Sequence, residues 1–354
     1  MKIGLLGCGT IGGGVLELVD GLNRSDIKIV KVFDMPCKKP FLKERFAESA
    51  DDITLNPEID TVVEAMGGDR FPYECIKKAL LSGKNVVTSN KEVVSVHFEE
   101  FYKTAKEKGV YFLCEASVGG GIPLICSVID ELKVNSANRI YGIINGTTNY
   151  VLTRMREDGL TLEKALEIAR ELGFAEYDAT ADLEGLDMVR KICILSSIAY
   201  KGYLPYDKIV HSGISKIKRE ILEDIKKRGY SLKFVAESRL EGDTVTVAVE
   251  PVLIKPENPL NTVNYEYNAV YVDFSNSGTL GFYGKGAGKF PTAAAMVSDL
   301  MRIKEGAAKY YFECERSIKV ENFRKKASYY AFADGKGKIG GYEDGDYEFI
   351  ARIF

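Results

Sequence analysis

The chain of 354 residues contains no tryptophan and only two histidines, His97 and His211. Because Ser-His-Asp triads and most catalytic zinc sites need histidine, this scarcity disfavours both and leaves catalysis to other side chains. The seven cysteines are odd in number and form no CxxC pair. Such a set is typical of reduced thiols in the cytosol rather than of a disulfide framework.

Long apolar runs and a strong charge of either sign are also missing. No stretch of about 18 apolar residues is present, which argues against a membrane-spanning helix. The net charge of -3 gives no general attraction to nucleic acid or to an anionic membrane. The chain begins directly with a strand pattern, without the apolar segment and cleavage site of a signal peptide. We therefore expect a cytoplasmic protein with a small-molecule ligand and neither nucleic-acid nor membrane partners.

Short apolar runs alternate with amphipathic stretches over residues 1–130. The runs are KIGLLG, IKIVKVFD, DTVVEAM, GKNVVTS and GVYFLCEA, and helical patterns at 72–81 and 98–108 lie between them. Strands buried on both faces that alternate with helices predict a doubly wound parallel sheet of the Rossmann type. We expect residues 1–130 to form a dinucleotide-binding domain of the α/β class.

The pattern changes over residues 131–286, where helical stretches come first and strand-like runs follow. This order predicts a second, α+β domain. The helical stretches lie at 147–157, 161–172 and 184–200, and the strand-like runs at 243–254 and 268–274.

Two segments complete the chain. The segment 287–310 has a helical pattern with Pro291 near its start, and we expect it to pack back on the first domain. Residues 311–354 contain glycine-rich turns between aromatic runs, which predicts a short strand-rich tail with a hairpin. The sequence indicates an edge strand or a subunit contact for this tail rather than a catalytic role.

A glycine-rich loop, GCGTIG at residues 7–12, follows the first predicted strand and opens a helix. Glycines allow the backbone to turn tightly and to approach a pyrophosphate, and the helix N-terminus offers free N–H groups to the phosphates. A GxGxxG at this position predicts dinucleotide binding, with a structural turn as the alternative. The predicted contacts are Gly7, Gly9, Thr10, Ile11 and Gly12.

The choice of cofactor depends on Asp34, which ends the second predicted strand 22 residues after Gly12. A carboxylate at this position accepts a hydrogen bond from the ribose 2′-hydroxyl and repels a 2′-phosphate, so NAD is favoured. Lys38 and Lys39 follow closely and would stabilise a 2′-phosphate, which keeps NADP as the alternative. A solvated loop is the favoured interpretation of these two lysines.

Asp187 and Lys191 are four residues apart in a predicted helix, so their side chains point from one face. The spacing alone is typical of an exposed ion pair. Glu176, Asp182 and Glu184 precede the pair in an acidic stretch punctuated by glycines. Such a cluster suits the ammonium group of an amino acid, and a lysine among carboxylates can exchange a proton with an alcohol or aldehyde oxygen. Both interpretations stay open at this point.

Five separated segments, which occur in the same order as in the family, resemble the homoserine dehydrogenases. The resemblance covers nearly all of residues 1–310 and is more specific than the glycine-rich loop alone. What remains of the chain is too short for a complete C-terminal ACT regulatory domain, so the resemblance is to a short form of the family. The segments are GKNVVTSNKEVVS (83–95), CEASVGGGIPLI (114–125), IINGTTNYVL (143–152), ELGFAEYDATADLEGLDMVRK (171–191) and GKGAGKFPTAAAMVSDL (284–300).

The resemblance implies an activity and residue roles. The reaction would be the reversible NAD(P)-dependent interconversion of L-homoserine and L-aspartate 4-semialdehyde, in threonine, methionine and isoleucine biosynthesis, by a homodimer. Residues 131–286 would form the catalytic and dimerisation domain. Lys191 would be the acid/base residue, Asp187 and Lys91 would assist it, and the substrate contacts would be Glu176, Asp187, Lys91 and Thr147. The hydroxyl of Thr147 would equally serve to cap a helix. The further cofactor contacts would be Ser89, Lys91, Gly173, Glu176 and Gly286.

The resemblance also implies a sodium ion beside the glycine run at 119–121, held by the Glu115 side chain and backbone oxygens. The segment from Glu115 is predicted as a strand that enters a glycine turn and then a helix. The spacing alone would favour a plain turn. The carried-over ligands are Glu115, Val118, Gly120 and Ile122. One departure from the family lies in the last segment, where Lys285 stands in place of the proline of most relatives.

Two other functions fit the same residues. One is a related Rossmann amino-acid dehydrogenase that acts on a different substrate. The other is a non-catalytic NAD(P) sensor that regulates a partner. The combination of Lys191 with Asp187 and Glu176 argues against a sensor, because dinucleotide binding alone does not need an acid/base lysine.

Overall fold

The computed structural model describes residues 1–307, 314–324, 326–345 and 347–354. The helices in these residues are α1 Thr10–Gly21, α2 Lys39–Leu42, α3 Asp51–Thr54, α4 Arg70–Leu81, α5 Lys91–Lys108, α6 Ile125–Glu131, α7 Gly146–Asp158, α8 Leu162–Glu171, α9 Thr180–Leu183, α10 Leu186–Tyr200, α11 Arg219–Lys227 and α12 Lys289–Lys304. The strands are β1 Lys2–Leu6, β2 Lys28–Phe33, β3 Thr61–Glu64, β4 Asn85–Thr88, β5 Phe112–Leu113, β6 Ala137–Ile143, β7 Val210–His211, β8 Ser231–Glu241, β9 Thr244–Ile254, β10 Tyr267–Phe274, β11 Gly278–Lys285, β12 Lys319–Glu321, β13 Ser328–Ala333, β14 Lys336–Gly341 and β15 Phe349–Ile353.

The chain divides into two compact units. The expected start of the tail at residue 311 lies outside the described residues. The first unit comprises Met1–Asp130, Lys201–Tyr203 and Ala287–Arg316, and the second comprises Glu131–Tyr200, Leu204–Gly286 and Ser317–Phe354.

The first unit is built on a five-stranded parallel sheet in the order β2-β1-β3-β4-β5. Strands β1, β3 and β4 are buried on both faces, which explains their mainly apolar sequences. The predicted doubly wound α/β fold is therefore confirmed. Leu6 pairs with both Phe33 and Glu64, and Glu64 pairs with Thr88, so the four strands end level with one another. Everything that follows these strands directly lies along one edge of the sheet, where open α/β folds bind ligands.

Several helices of this unit begin earlier than their apolar pattern indicated. The side chain of Asp69 caps α4, which starts at Arg70 rather than at residue 72. The side chain of Asn90 accepts hydrogen bonds from the N–H groups of Glu92 and Val93, so α5 starts at Lys91 rather than at residue 98. Polar caps extend a helix beyond its apolar face, and a search for apolar periodicity alone does not register them.

Helix α12 packs against α1 within the first unit. Its buried side chains, including Ala293, Met296 and Leu300, join the apolar core that also holds Leu5 and Val15. The predicted helix at 287–310 thus packs on the first unit as expected. It begins at Lys289, two residues before Pro291, and its predicted end at residue 310 lies outside the described residues.

The second unit contains a mixed sheet in the order β11-β10-β6-β8-β9-β15-β13-β14, with β7 and β12 also pairing with β9. Helix α10 packs against β8, where the Tyr200 hydroxyl donates to the Ser238 carbonyl at 3.0 Å. The helix begins at Leu186 rather than at residue 184, directly after Gly185 with its φ of +86°. The sheet thereby supports the helix that carries Asp187 and Lys191.

The C-terminal segment is part of this second sheet. Strands β13 and β14 form the predicted hairpin, and β15 lies between β13 and β9. Arg352 on β15 is 2% exposed and donates to Glu237 at 2.6 Å and to Glu250. A guanidinium buried between two carboxylates anchors the segment, because loss of Arg352 would deprive the buried Glu250 of this ion pair. None of the described helices has the length and apolar character needed to cross a bilayer.

Candidate active site

The glycine-rich loop leaves β1 and enters α1 with almost no space for side chains at two of its glycines. A Cβ at Gly12 would lie 1.9 Å from the carbonyl oxygen of Gly7, and a Cβ at Gly7, where φ is +88°, would lie 2.8 Å from the carbonyl oxygen of Ala65. In contrast, a Cβ at Gly9 would meet nothing within 4 Å. Gly7 and Gly12 therefore allow close packing, and Gly9 leaves open space at the N-terminus of α1, where a phosphate would approach. This geometry fits a dinucleotide.

Asp34 lies beside this loop. Its carboxylate accepts hydrogen bonds from the backbone N–H groups of Cys8 and Met35. The side chain is thus fixed at the sheet edge by the loop itself. Lys39 forms an ion pair with Glu48, whereas Lys38 ends the turn Pro36–Lys38 and is exposed. Of the two lysines that sequence reasoning considered for a 2′-phosphate, Lys39 already has a carboxylate partner.

The segment Ser89-Asn90-Lys91 follows β4 at the same edge. Asn90 is 7% exposed, caps α5 and donates to the carbonyl oxygen of Gly68 at 2.9 Å. Its own N–H donates to the hydroxyl of Thr88 at 3.0 Å, and that hydroxyl donates to the carboxylate of Glu64. Lys91 is therefore the first residue of a helix whose start is fixed by several hydrogen bonds, and not part of a loose loop.

Glu64 was missed by the sequence reasoning. It is completely buried at the end of β3, and this burial raises the pKa of its carboxyl to about 7. The only signal in the sequence is a single acidic residue at the end of the otherwise apolar run DTVVEAM. Such a residue reads equally well as the solvent-facing end of a strand, which is why the pattern did not identify it.

In the second unit, Asp187 and Lys191 form a buried pair and not an exposed one. The Lys191 Nζ lies 2.8 Å from Asp187 Oδ2, and the two side chains are 11% and 8% exposed. Lys191 also donates to the carbonyl oxygen of Ile144 at 2.9 Å. Burial strengthens the interaction between the two charges, and these two bonds hold the amine in one position.

Asn145 connects the pair to a second carboxylate. Its Nδ2 donates to Asp182 Oδ1 at 2.7 Å and to Asp187 Oδ2 at 2.9 Å. Its Oδ1 accepts from the N–H of Thr148 at 2.9 Å, which caps α7. Sequence reasoning did not assign a role to Asn145. A signal was present, because asparagine directly before a helix is a preferred N-cap residue.

Asp182 is largely buried, which raises the pKa of its carboxyl, and the negative charge of Asp187 raises it further. The hydroxyl of Thr147 contacts Asp182 and donates to the carbonyl oxygen of Phe174 at 2.6 Å. Thr147, predicted beside the substrate, therefore lies in this group. We call Asn145, Thr147, Asp182, Asp187 and Lys191 the lysine cluster.

Glu176 and Gly173 lie on the exposed segment between α8 and α9. The backbone carbonyl of Glu176 accepts a hydrogen bond from Arg170, and Gly173, two residues after α8, has a φ of +77°. Within the described residues, no hydrogen bond or ion pair joins the Glu176 carboxylate to Asp187 or Lys191. The structure thus brings Asp182 to the lysine, while the predicted contact Glu176 lies at the surface.

Glu115 lies in a short 3-10 turn, Glu115–Ser117, so the predicted strand at this point is wrong. Strand β5 ends at Leu113. The Glu115 carboxylate accepts hydrogen bonds from the N–H groups of Leu124, Ile125 and Cys126 and thereby caps α6. The three N–H groups at the start of α6 have no partner within the helix, so they bind the carboxylate. This contact favours a turn at Glu115 over a continued strand.

The glycine run that follows contains backbone carbonyl oxygens that accept no backbone hydrogen bond in the described residues. Gly119 and Gly120 have φ values of +79° and +57°, and a Cβ at Gly121 would lie 2.7 Å from Pro291. In the part of the chain that the structure describes, no backbone N–H donates to the carbonyl oxygens of Val118, Gly120 or Ile122. A set of uncommitted carbonyl oxygens fits an alkali cation.

Gly286 follows β11 and has no space for a side chain. A Cβ there would lie 1.8 Å from the Nδ2 atom of Asn268, which is 1% exposed. Lys285, the departure from the family pattern, lies 3.6 Å from Glu266 and is more than half exposed. Its charge therefore has a local partner.

The arrangement supports proton transfer coupled to oxidation or reduction of a small polar molecule. The first unit provides a dinucleotide loop, and the second provides a buried amine between a carboxylate and a carbonyl oxygen. In the described residues, no group of three or more histidines, cysteines, aspartates and glutamates is arranged to hold a metal ion. The buried lysine, which is held by a carboxylate and a carbonyl oxygen, is the best candidate for the acid/base group.

Comparison with known proteins identifies the family. Residues 123–301 match the model of the homoserine dehydrogenase family, and residues 7–115 match its NAD-binding domain. The chain is 37% identical over 314 residues to the homoserine dehydrogenase of Bacillus subtilis, covering 86% of this chain and 72% of that protein. It is 34% identical over 352 residues to the enzyme of Helicobacter pylori, covering 95% and 83% respectively.

Solved structures agree. A homoserine dehydrogenase from Thiobacillus denitrificans superposes with a TM-score of 0.88 at 32% identity, covering 95% of this chain and 84% of that one. The enzyme from S. aureus superposes with a TM-score of 0.82 at 26% identity, covering 100% and 98%. A hyperthermophilic archaeal homoserine dehydrogenase in complex with NADPH superposes with a TM-score of 0.74 at 25% identity, covering 86% of this chain and 98% of that one. The chain belongs to the homoserine dehydrogenase family of NAD(P)-dependent oxidoreductases.

Proposed function

We propose that this chain interconverts L-homoserine and L-aspartate 4-semialdehyde and that Lys191 transfers the proton. The observation that carries the proposal is the buried Lys191–Asp187 pair at 2.8 Å. An exposed i, i+4 ion pair contributes only a little to helix stability. A buried lysine held by two hydrogen bonds is instead placed for proton transfer.

Lys191 would act in both directions. In reduction, its Nζ donates a proton to the aldehyde oxygen as the carbonyl carbon becomes an alcohol carbon. In oxidation, the amine accepts the hydroxyl proton. The nicotinamide, when bound, supplies or accepts the hydride. Asp187 and the carbonyl oxygen of Ile144 fix the orientation of the amine throughout.

Carboxylates would hold the substrate by its ammonium group. Asp187 is the predicted contact, and Asp182 belongs with it because Asn145 donates to both side chains. Thr147 touches Asp182 and would align the same end of the substrate. Lys91, at the start of α5, is proposed to stabilise polar groups near the reacting carbon. Glu176 and Gly173 stay proposals from the family resemblance alone, as contacts to the substrate or the nicotinamide.

For the cofactor, we propose that NAD is preferred and NADP is accepted more weakly. Gly7, Gly9, Thr10, Ile11 and Gly12 would bind the pyrophosphate, with Ser89, Lys91 and Gly286 as further contacts. The preference rests on Asp34, which is fixed beside the loop and would repel a 2′-phosphate. Lys38 offers the opposing charge. The archaeal relative in complex with NADPH shows that the family includes an NADPH binder.

We also propose a sodium ion at the glycine run, with the Glu115 side chain and the backbone oxygens of Val118, Gly120 and Ile122 as ligands. Since the Glu115 carboxylate already caps α6, the proposal depends on the carbonyls rather than on that side chain. The ion would stabilise the turn and take no part in the reaction. The homodimer and the cytoplasmic location remain predictions.

Initial rates of homoserine-dependent NAD⁺ and NADP⁺ reduction by the purified protein test the proposal. We expect turnover, with the larger kcat/KM for NAD⁺. Turnover of another amino-acid alcohol or of aspartate, with none of homoserine, would indicate a related dehydrogenase. Dinucleotide binding without any turnover would indicate a sensor. Either of these outcomes would overturn the proposal.

A further inference from the structure

Asn268, on β10, has a buried side-chain amide for which the described residues provide no hydrogen-bond partner. The residue is 1% exposed, and both its Nδ2 and its Oδ1 are buried without a partner. Leaving a donor and an acceptor unpaired in a protein interior costs free energy. Such a pair of atoms in a native fold therefore needs an explanation, and a ligand that satisfies both is one.

The surroundings of the amide place it among residues already assigned to the site. A Cβ at Gly286 would lie 1.8 Å from Asn268 Nδ2, and a Cβ at Gly146 would lie 3.7 Å from Asn268 Oδ1. Gly146 begins α7 directly after Asn145, which belongs to the lysine cluster. Asn268 therefore lies between the start of α7 and the turn that contains the proposed cofactor contact Gly286.

A nearby asparagine shows that the local backbone can satisfy such an amide. Asn149, on α7, is 2% exposed, and its Nδ2 donates to the carbonyl oxygens of Tyr265 and Tyr267 at 2.9 and 3.0 Å. Asn149 thus serves the fold. Asn268, one residue beyond Tyr267, has no comparable protein partner among the described residues.

The chemistry of the missing partner follows from the amide. Asn268 offers one acceptor and one N–H₂ donor at the same place, so its best complement presents a donor and an acceptor side by side. In homoserine, donors and acceptors belong to separate charged groups or share the single oxygen of the hydroxyl. The carboxamide of nicotinamide presents an N–H donor and an oxygen acceptor side by side on one planar group. Both amide atoms are covered, and the backbone of Gly286 lies against Nδ2, so the turn at Gly286 must move for a ligand to reach them.

We propose that Asn268 binds the nicotinamide carboxamide through paired hydrogen bonds and so fixes which way the ring is turned. This inference rests on the proposed function, because it takes the nicotinamide to lie at Gly286. The Asn268 Nδ2 would donate to the carboxamide oxygen, and the Oδ1 would accept from the carboxamide N–H.

Binding measured by calorimetry tests this assignment without turnover. Three ligands are compared on the wild type and on Asn268→Ala: the preferred oxidised dinucleotide, its 3-acetylpyridine analogue, and the corresponding adenosine diphosphoribose without nicotinamide. The analogue keeps the carbonyl oxygen and replaces the N–H₂ with a methyl group. We expect the wild type to bind the natural dinucleotide about tenfold more tightly than the analogue, and Asn268→Ala to lose this preference. The ligand without nicotinamide should bind both proteins equally.

Two further variants keep the test decisive if Asn268→Ala does not fold. Asn268→Asp is almost isosteric, keeps the acceptor and loses the donor, so it should bind both dinucleotides more weakly and still prefer the natural one. Asn276→Ala removes an amide from the exposed turn between β10 and β11, and all its dissociation constants should match those of the wild type.

An unchanged preference in Asn268→Ala, or an equal loss for the ligand without nicotinamide, would overturn the assignment. So would unaltered dinucleotide binding in Asn268→Asp. The outcome is separate from that of the proposed function, because homoserine turnover of the wild type is measured independently.

Discussion

The glycine-rich loop of the first unit is a site formed by the backbone, whereas the lysine cluster of the second is a site formed by side chains. In the loop, Gly7 and Gly12 pack so closely that no Cβ fits, and Gly9 leaves open space at the start of α1. In the lysine cluster, side chains from β6–α7, α9 and α10 meet through Asn145. A backbone site is continuous in sequence, whereas a side-chain site is assembled from distant segments.

This difference determines how much of each site can be predicted from the sequence. The loop was predictable because the glycine spacing is itself the geometric requirement. The cluster was predictable only as the i, i+4 pair of Asp187 and Lys191, and spacing could not tell a buried pair from an exposed one. Asn145 lies 42 residues before Asp187, so only the fold shows that they touch. Burial and long-range contact are tertiary properties, which local patterns do not contain.

The parallel sheet was predictable from its apolar strands, while element boundaries and buried acids were not. Polar caps such as Asn90 moved the helix starts, and Glu115 turned out to cap α6 instead of extending a strand. Glu64 looked like an ordinary strand end. In each case a backbone N–H group or a hydroxyl elsewhere decides the role of the side chain.

The largest expected effect is on kcat, and it distinguishes the buried Lys191–Asp187 pair from an exposed ion pair. Lys191→Ala should lower kcat by about 10²–10⁴-fold, because general acid–base catalysis contributes that much. Lys164→Ala is the matched control, since Lys164 pairs with Glu167 on a helix surface with both side chains 55% exposed. Its kcat should equal that of the wild type. Initial rates of homoserine oxidation measure both, and a loss of less than about tenfold in Lys191→Ala would remove it from its proposed role.

The two glycines of the loop should respond differently to the same change. Gly12→Ala forces a methyl group against the Gly7 carbonyl and should lower the free energy of unfolding by about 1–3 kcal/mol. Gly9→Ala has space and should leave stability within about 0.5 kcal/mol of the wild type, while its dinucleotide affinity falls. Denaturant unfolding and dinucleotide titration separate the effects. Equal stability loss in both variants would contradict the division between packing and phosphate approach.

Asp34 should control the choice of cofactor through its charge. Asp34→Asn keeps an oxygen that can accept from Cys8 and removes the negative charge, so the kcat/KM ratio for NADP⁺ over NAD⁺ should rise by about tenfold. Asp20→Asn, in an exposed ion pair with Arg45, should leave the ratio unchanged. A ratio that is the same in Asp34→Asn and the wild type would mean that Lys38 or another group makes the choice.

The smallest expected effect is on the pH dependence of stability, and it concerns Glu64, which is buried at the end of β3. Burial raises the pKa of Glu64 to about 7 from its ordinary value of 4.5, so between these values the folded state holds a proton that the unfolded state has lost. Stability from this group is therefore full below pH 4.5 and declines as the pH rises towards 7. Glu64→Gln should remove a slope of about 1 kcal/mol per pH unit near pH 6.

Unfolding free energies at several pH values measure that slope. Asp299, whose pKa burial also raises to about 7, remains in the Glu64→Gln protein and contributes a slope of the same sign. The variant should thus keep part of the pH dependence. Identical slopes in Glu64→Gln and the wild type would show that Glu64 does not retain a proton in the fold.

The most direct test of the division between the two regions is the dissociation constant of the oxidised dinucleotide for the Lys191→Ala protein, measured by calorimetry. If Lys191 serves only the proton, the constant should stay within about twofold of the wild type, because the amine then contributes nothing to cofactor binding. A rise of tenfold or more would contradict the account, because it would make Lys191 part of cofactor binding.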